Sequence, residues 1–265
     1  MKTVDVAGAK VAYQRVGQGE PLLLLHGFPF TSESLWPLLE APPRGLELIV
    51  PDLPGFGQSA PLSGPTLTME AIASWALGLL DALGLTTCHL GGVSMGGYAA
   101  LALTRLDPSR VRSLTLVGSH PFADDAAGVA RREATAQEAL RDGTGAIVAR
   151  MLPVVLSERA SPQVRTRLEA VMHQASAAVV AQASRGMAAR IDQREVLARF
   201  AGPVLLVTGA LDPLVPPERA AQVAALPSSV VAKVLADVGH LPQLEAADGV
   251  RRLLERLPQG GVQTT

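Results

Sequence analysis

Gly92-Val93-Ser94-Met95-Gly96-Gly97 is where residue types and spacing speak most directly of chemistry. The segment reads G-x-S-x-G and lies between a strand-like run and a helix-like run, the setting that holds a serine on a sharp strand-to-helix turn. Such a turn crowds neighbouring Cβ atoms, and Gly92 and Gly96 relieve the crowding. The start of the following helix presents free N–H groups, which favour negative charge developing beside Ser94. A serine so placed attacks carbonyl carbon if a base removes its proton.

The base must come from a loop that reaches the same sheet edge. Of five histidines, His240 in Gly239-His240-Leu241-Pro242 follows the last strand-like run and completes the chain order Ser…Asp…His. His89 falls inside a strand and is expected to be a satisfied core residue. His120 could border a pocket, His173 is expected to face solvent, and His26 belongs to a loop motif. The acid is expected at Asp212, just past the Val204–Thr208 run, where it would orient the imidazole. Asp237, three residues before His240, is the rival and reads as part of a turn. Asp52, in Pro51-Asp52-Leu53-Pro54-Gly55-Phe56-Gly57, precedes Ser94 and is expected to brace its own loop. Acyl transfer also needs two donors for the oxyanion. The N–H of Met95 is one candidate, and the N–H of Phe28, in His26-Gly27-Phe28-Pro29, is the other.

The elements that position these residues are legible as alternation. Val4–Val6 and Lys10–Arg15 flank Gly8-Ala9 as a hairpin. Leu22–Leu25 and Leu46–Val50 are wholly apolar, as strands buried on both faces are. Met69 to Leu83 has helical spacing with Thr68 as N-cap. Thr86–Leu90 is a strand, Met95 to Leu106 a helix stopped near Pro108, and Val111–Val117 a strand. From His120 to Val196 no strand-like run occurs. That stretch reads as three or four helices, interrupted at Pro153 and Pro162. Then Val204–Thr208, Pro217–Ala225, Val230–Val234 and Gln243–Leu257 resume strand, helix, strand, helix. The pattern is a doubly wound α/β core with a helical insertion of roughly 75 residues.

Composition narrows the function. The 265 residues carry 23 basic and 24 acidic side chains, for a net charge of −1. No global positive field exists to hold a phosphate backbone, and aromatics are only 3%, too few for base stacking. Nucleic acid is therefore not the expected partner. Cys88 is alone, so neither a disulfide nor a Cys-rich metal site is expected. Ala82–Thr104 is uncharged and long enough for a membrane span, yet it holds five glycines, His89 and Ser94, a mix a lipid-facing helix rarely tolerates. With no apolar core near Met1, a cytoplasmic protein is expected.

The segments LLLLHGFP, PDLPGFGQS, GGVSMGGYAAL, TGALDPLVPP and GHLPQLE resemble the α/β-hydrolase superfamily in type, order and spacing from about residue 20 to 257. Within it the chain is similar to small serine esterases and lactonases, including the 3-oxoadipate enol-lactonase-like group. The resemblance implies an eight-stranded, mostly parallel sheet flanked by helices. It also implies a helical cap inserted between the sixth and seventh strands, and a triad of Ser94, Asp212 and His240. Residues 1–119 and 197–265 would form the core halves and 120–196 the cap. The implied reaction is cleavage of a carboxylic ester or lactone through an acyl-enzyme on Ser94, with no cofactor or metal. Haloalkane dehalogenases and epoxide hydrolases carry Asp at the nucleophile position, so Ser94 disfavours those chemistries. C–C bond hydrolysis of the meta-cleavage type, perhydrolase or haloperoxidase activity, and a triad-retaining ligand sensor stay open. Between residues 121 and 195 there are ten Arg and nine Asp or Glu. That balance, with Met151, Met172 and Met187 as candidate pocket residues, predicts an uncharged wall that takes short-to-medium apolar acyl chains.

Overall fold

A computed structural model describes residues 1–226 and 230–259. Eight strands form one sheet in the order β1-β2-β4-β3-β5-β6-β7-β8. They are β1 (Lys2–Val6), β2 (Ala9–Gly17), β3 (Gly19–Leu25), β4 (Gly45–Pro51), β5 (Cys88–Val93), β6 (Val111–Val117), β7 (Val204–Gly209) and β8 (Val230–Leu235). The β1–β2 and β2–β4 pairs are antiparallel and every later pair is parallel. The chain therefore starts as a hairpin at one edge and continues as crossovers.

The apolar runs work as strands because their side chains alternate between two buried layers. Leu23 and Leu25 of β3 join one hydrophobic cluster, while Leu22 and Leu24 join the other. In β7, Val204 and Leu206 take the first side, Leu205 and Val207 the second. A central strand covered on both faces needs no polar alternation. The first layer is built from α2 (Met69–Ala82) and α3 (Met95–Leu106), the second in part from α1 (Trp36–Glu40) and α11 (Ala247–Leu254). Thr68 caps α2 as its spacing predicts, its hydroxyl accepting from the N–H of Ala71 at 3.1 Å.

Between β6 and β7 lie five helices: α4 (Ala126–Asp142), α5 (Gly145–Val155), α6 (Pro162–Met172), α7 (Ala177–Ala188) and α8 (Arg194–Arg199). Pro162 starts α6, where its missing N–H costs nothing. Pro153, expected as an interruption, instead lies inside the last turn of α5. The expected helix Gln243–Leu257 is divided into α10 (Pro242–Glu245) and α11, because the backbone at Ala246 (φ −139°, ψ 46°) leaves the helical region. The remaining helix, α9 (Pro217–Ala224), packs beside β7 and β8. Among the described residues no helix is long and apolar enough to cross a membrane.

Candidate active site

The topology brings the chemistry to one edge. β3 lies between β4 and β5, so the chain winds outward in both directions from it. In open α/β sheets a crevice forms at the carboxyl ends of strands at such a reversal. The His26-Gly27-Phe28 loop leaves the end of β3, and Ser94 leaves the end of β5. The two strands pair with Leu25 opposite Gly92, so the loop and the serine are neighbours. Gly118, Asp212 and His240 follow the ends of β6, β7 and β8 at the same edge.

Ser94 sits at φ 50°, ψ −113°, a left-handed backbone that is costly for a side-chain-bearing residue. A Cβ on Gly92 would overlap the backbone of Gly96, and one on Gly96 would overlap the carbonyl of Leu25. Glycine at both places is what lets α3 begin directly against β3. Three hydrogen bonds hold the turn. The Ser94 N–H donates to the Val117 carbonyl at 2.8 Å, the Gly97 N–H donates to the Ser94 carbonyl at 2.9 Å, and the Ser119 hydroxyl donates to that same carbonyl at 2.8 Å.

Asp212 and His240 are both buried and meet through Nδ1 and Oδ2 at 2.8 Å. The other oxygen of Asp212 accepts from the N–H groups of Leu214 and Val215 at 2.8 and 3.0 Å. Burial works against the Asp212 charge, but the imidazole and the two amides outweigh it and hold its carboxyl below the usual range. A carboxylate fixed this way keeps the His240 proton on Nδ1 and leaves the Nε2 lone pair free to accept. Gly118 (φ 52°) lets the histidine loop approach, since a Cβ there would overlap the His240 carbonyl. Glu245 ties the same loop to the insertion. Its carboxylate accepts from the Gly239 N–H at 3.0 Å, and from the Ser157 N–H at 3.2 Å and the Ser157 hydroxyl. Asp237 is exposed and pairs with Arg159 at 3.1 Å, away from His240.

Ser94 and His240 line a cavity of about 440 Å³ together with Phe28, Tyr98, His120 and residues of α4, α5 and α7. The backbone N–H groups of Phe28 and Met95 have no acceptor among the described residues. Met151 and Met187 line the cavity. Met172 does not: it is fully buried between α6 and the second hydrophobic layer, filling core space instead of a pocket wall. The wall also differs from the uncharged one expected. Ile147, Met151, Val154, Val155, Met187 and Leu214 supply apolar surface, but Arg131, Arg132 and Arg150 line it too. Arg132 is paired with Asp124 at 3.3 Å and Arg150 with Glu138 at 2.7 Å, whereas Arg131 has no ion-pair partner among the described residues. A segment-wide charge count averages over helix faces and hides such sorting.

The other histidines resolve by their hydrogen bonds. The Leu53 N–H donates to His26 Nε2 at 2.9 Å, so His26 carries its proton on Nδ1 and donates to the Gly27 carbonyl at 2.8 Å. It is a buried brace of its loop, and burial lowers its pKa. His89 is a satisfied core group, bonded to Ser113 at 2.7 Å and Glu20 at 3.0 Å. His173 is exposed at the end of α6. Asp52 accepts from the N–H groups of Ser32 and Gln58, both at 2.9 Å. His120 lines the cavity in contact with Tyr98, a pocket residue that sequence reasoning missed. Its spacing was the available signal, because position 98 is one helical turn after Ser94 on the same face.

Comparison with known proteins identifies the fold. Residues 20–247 match the alpha/beta hydrolase fold family. A dihydrolipoyllysine-residue acetyltransferase component of the acetoin cleaving system from Cupriavidus necator is 32% identical, over 95% of this chain and 67% of that protein. A pimeloyl-[acyl-carrier protein] methyl ester esterase from Aeromonas hydrophila is 32% identical, over 78% of this chain and 82% of its own. A thermophilic esterase from Thermogutta terrifontis superposes with a TM-score of 0.90 at 31% identity, covering 97% of both chains. An enol-lactonase from Burkholderia xenovorans shares the fold, with a TM-score of 0.86 at 20% identity, covering 97% of this chain and all of that one.

Proposed function

The chain belongs to the α/β-hydrolase family, and on that premise we propose that it cleaves carboxylic esters or lactones through a covalent acyl-serine. The observation that carries the reading is the buried Asp212–His240 pair at 2.8 Å, opening on the same cavity as Ser94 on its left-handed turn. Ser94 Oγ attacks the carbonyl carbon while His240 Nε2 takes its proton. The oxyanion is held by the N–H groups of Phe28 and Met95, which are fixed before the reaction and need no reorganisation. Collapse expels the alkoxide, and His240 returns the proton to it. Water, deprotonated by the same imidazole, then attacks the acyl carbon, and Ser94 recovers its proton as the acid leaves.

Residues 120–196 act in this reading as a cap. Their apolar side chains would receive the acyl chain, each methylene in contact adding about 0.8 kcal/mol, or roughly fourfold in kcat/KM, until the space is full. Arg131 favours a second substrate class, a lactone or ester that also carries a carboxylate. One experiment tests both: hydrolysis rates over p-nitrophenyl esters of increasing chain length, neutral lactones and carboxylate-bearing lactones, alongside labelling with a fluorophosphonate. Turnover that rises and then falls with chain length, with the label on Ser94, is expected. No turnover of any ester or lactone, or a label elsewhere with Ser94→Ala still active, would overturn the reading.

A further inference from the structure

Tyr98 lies one helical turn beyond Ser94 on α3 and borders the same cavity. Two neighbouring side chains, Arg190 and His120, hold its ring. The guanidinium of Arg190, with only 3% of its side chain exposed, stacks 4.2 Å from the centre of the phenol ring. Arg190 is itself fixed by Asp124 at 2.6 Å and by the Met187 carbonyl at 2.7 Å. The guanidinium also donates to the Phe122 carbonyl at 3.2 Å, so a cation that is itself fixed covers the phenol ring and restricts its movement. His120 packs against the same ring with centroids 5.3 Å apart, its Nε2 3.4 Å from the phenol oxygen and its Nδ1 3.2 Å from the N–H of Phe122.

The direction of these hydrogen bonds follows from counting protons. The Phe122 N–H can only donate, so Nδ1 of His120 must accept. Burial first, and then the charges of Arg190 and Arg219, push His120 down to about 3, so near neutral pH the ring holds a single proton. That proton is on Nε2 and points at the phenol oxygen. The Tyr98 oxygen is thereby an acceptor within the protein, and its own hydrogen has no acceptor among the described residues. A phenol locked this way offers the cavity a donor.

We propose that Tyr98 is a specificity-determining residue whose O–H donates to a second acceptor oxygen of the substrate, a keto, ether or carboxylate oxygen apart from the bond being cleaved. The proposal rests on the ester-hydrolase reading and narrows it to oxygenated substrates. A plain hydrocarbon chain gains nothing from that donor, while a matching oxygen accepts from it and adds a hydrogen bond.

Paired substrates test this. The acyl side is read with p-nitrophenyl hexanoate against its 4-oxo and 5-oxo derivatives. The alcohol side is read with heptyl acetate against 2-butoxyethyl acetate, in which an ether oxygen replaces one methylene. The wild-type protein is expected to prefer the oxygenated member of at least one pair. Tyr98→Phe should lower kcat/KM for that member about five- to tenfold and leave the hydrocarbon twin within about twofold. The unchanged twin shows that the fold and the Ser94 chemistry are intact. His120→Phe, which removes the Nε2–H and frees the phenol to turn, should also reduce the preference while Tyr98 is present. Equal loss on both members in Tyr98→Phe, or no preference in the wild type, overturns the proposal. If no ester or lactone is hydrolysed at all, the enzymatic reading fails by itself. Calorimetric binding of nonane-2,6-dione against nonan-2-one, in wild type and Tyr98→Phe, then decides on Tyr98: an advantage for the dione that vanishes in the variant supports the donor, and no difference overturns it.

Discussion

Two aspartates compete for one role, and their surroundings separate them. Asp212 is buried, has one oxygen filled by two backbone amides, and has the other on His240. Asp237 is exposed, sits at φ 61° and faces Arg159. Asp212→Asn puts an amide where the carboxylate accepts the Nδ1 proton. The imidazole then loses its orienting charge and its tautomer, and turnover on the best ester substrate is expected to fall by about 10²–10⁴-fold. Asp237→Asn removes only an exposed ion pair and should leave turnover within about twofold. Steady-state kinetics of the two variants side by side check this, and a larger loss for Asp237→Asn would reassign the acid.

Elements carry the next level of constraint. The strand-to-helix turn works only because α3 touches β3 at Gly96, so Gly96→Ala is expected to drive a methyl into the Leu25 carbonyl. That overlap involves backbone on both sides and cannot be relieved by a rotamer, so a cost of about 3 kcal/mol or more is expected in urea unfolding. Glu245 links α10, the histidine loop and the end of α5. Glu245→Ala leaves the Gly239 and Ser157 N–H groups and the Ser157 hydroxyl without their acceptor, at roughly 1–3 kcal/mol of stability. Turnover should fall as well, because Gly239 immediately precedes His240, and urea melts with kinetics on the same variant read both. This level also marks where the sequence speaks and where it stops. The strands were legible because their apolar runs are short and bounded, and α2 and α3 because their periodicity is clean. The placement of Ser94, Asp212 and His240 at one sheet edge was legible because each follows a strand end. Met172 was not separable from Met151 and Met187, since the faces of α5, α6 and α7 are set by tertiary packing and not by residue type. The arginines of the cavity wall and the Arg190–Tyr98 stack were hidden for the same reason: charge counts along a helix do not say which face turns inward.

Across the whole molecule, three histidines resist protonation inside the fold. Burial lowers His26, His89 and His120, the last to about 3 with help from Arg190 and Arg219. In the unfolded chain each binds a proton near the ordinary histidine value of about 6.5. The unfolded state therefore holds more protons than the native state below that pH, and stability must rise with pH over this window. Falling from about pH 6.5 toward pH 3, the protein should lose stability progressively as the unfolded chain takes up protons that the folded one refuses. Asp212 adds to the loss at the acid end. Its folded pKa lies below the unfolded value of about 3.9, so the stability it contributes is present above that value and disappears as pH falls through the folded one. Urea melts at half-unit steps from pH 4 to pH 8 should give a midpoint that climbs to about pH 7 and then levels. His120→Gln keeps a hydrogen-bonding side chain but removes one titration, so its curve should be shallower than the wild type between pH 4 and pH 6.5, with the two running parallel above pH 7. A wild-type midpoint that does not change across that range, or a His120→Gln curve with the wild-type slope, would show that the buried ring is already charged in the folded protein.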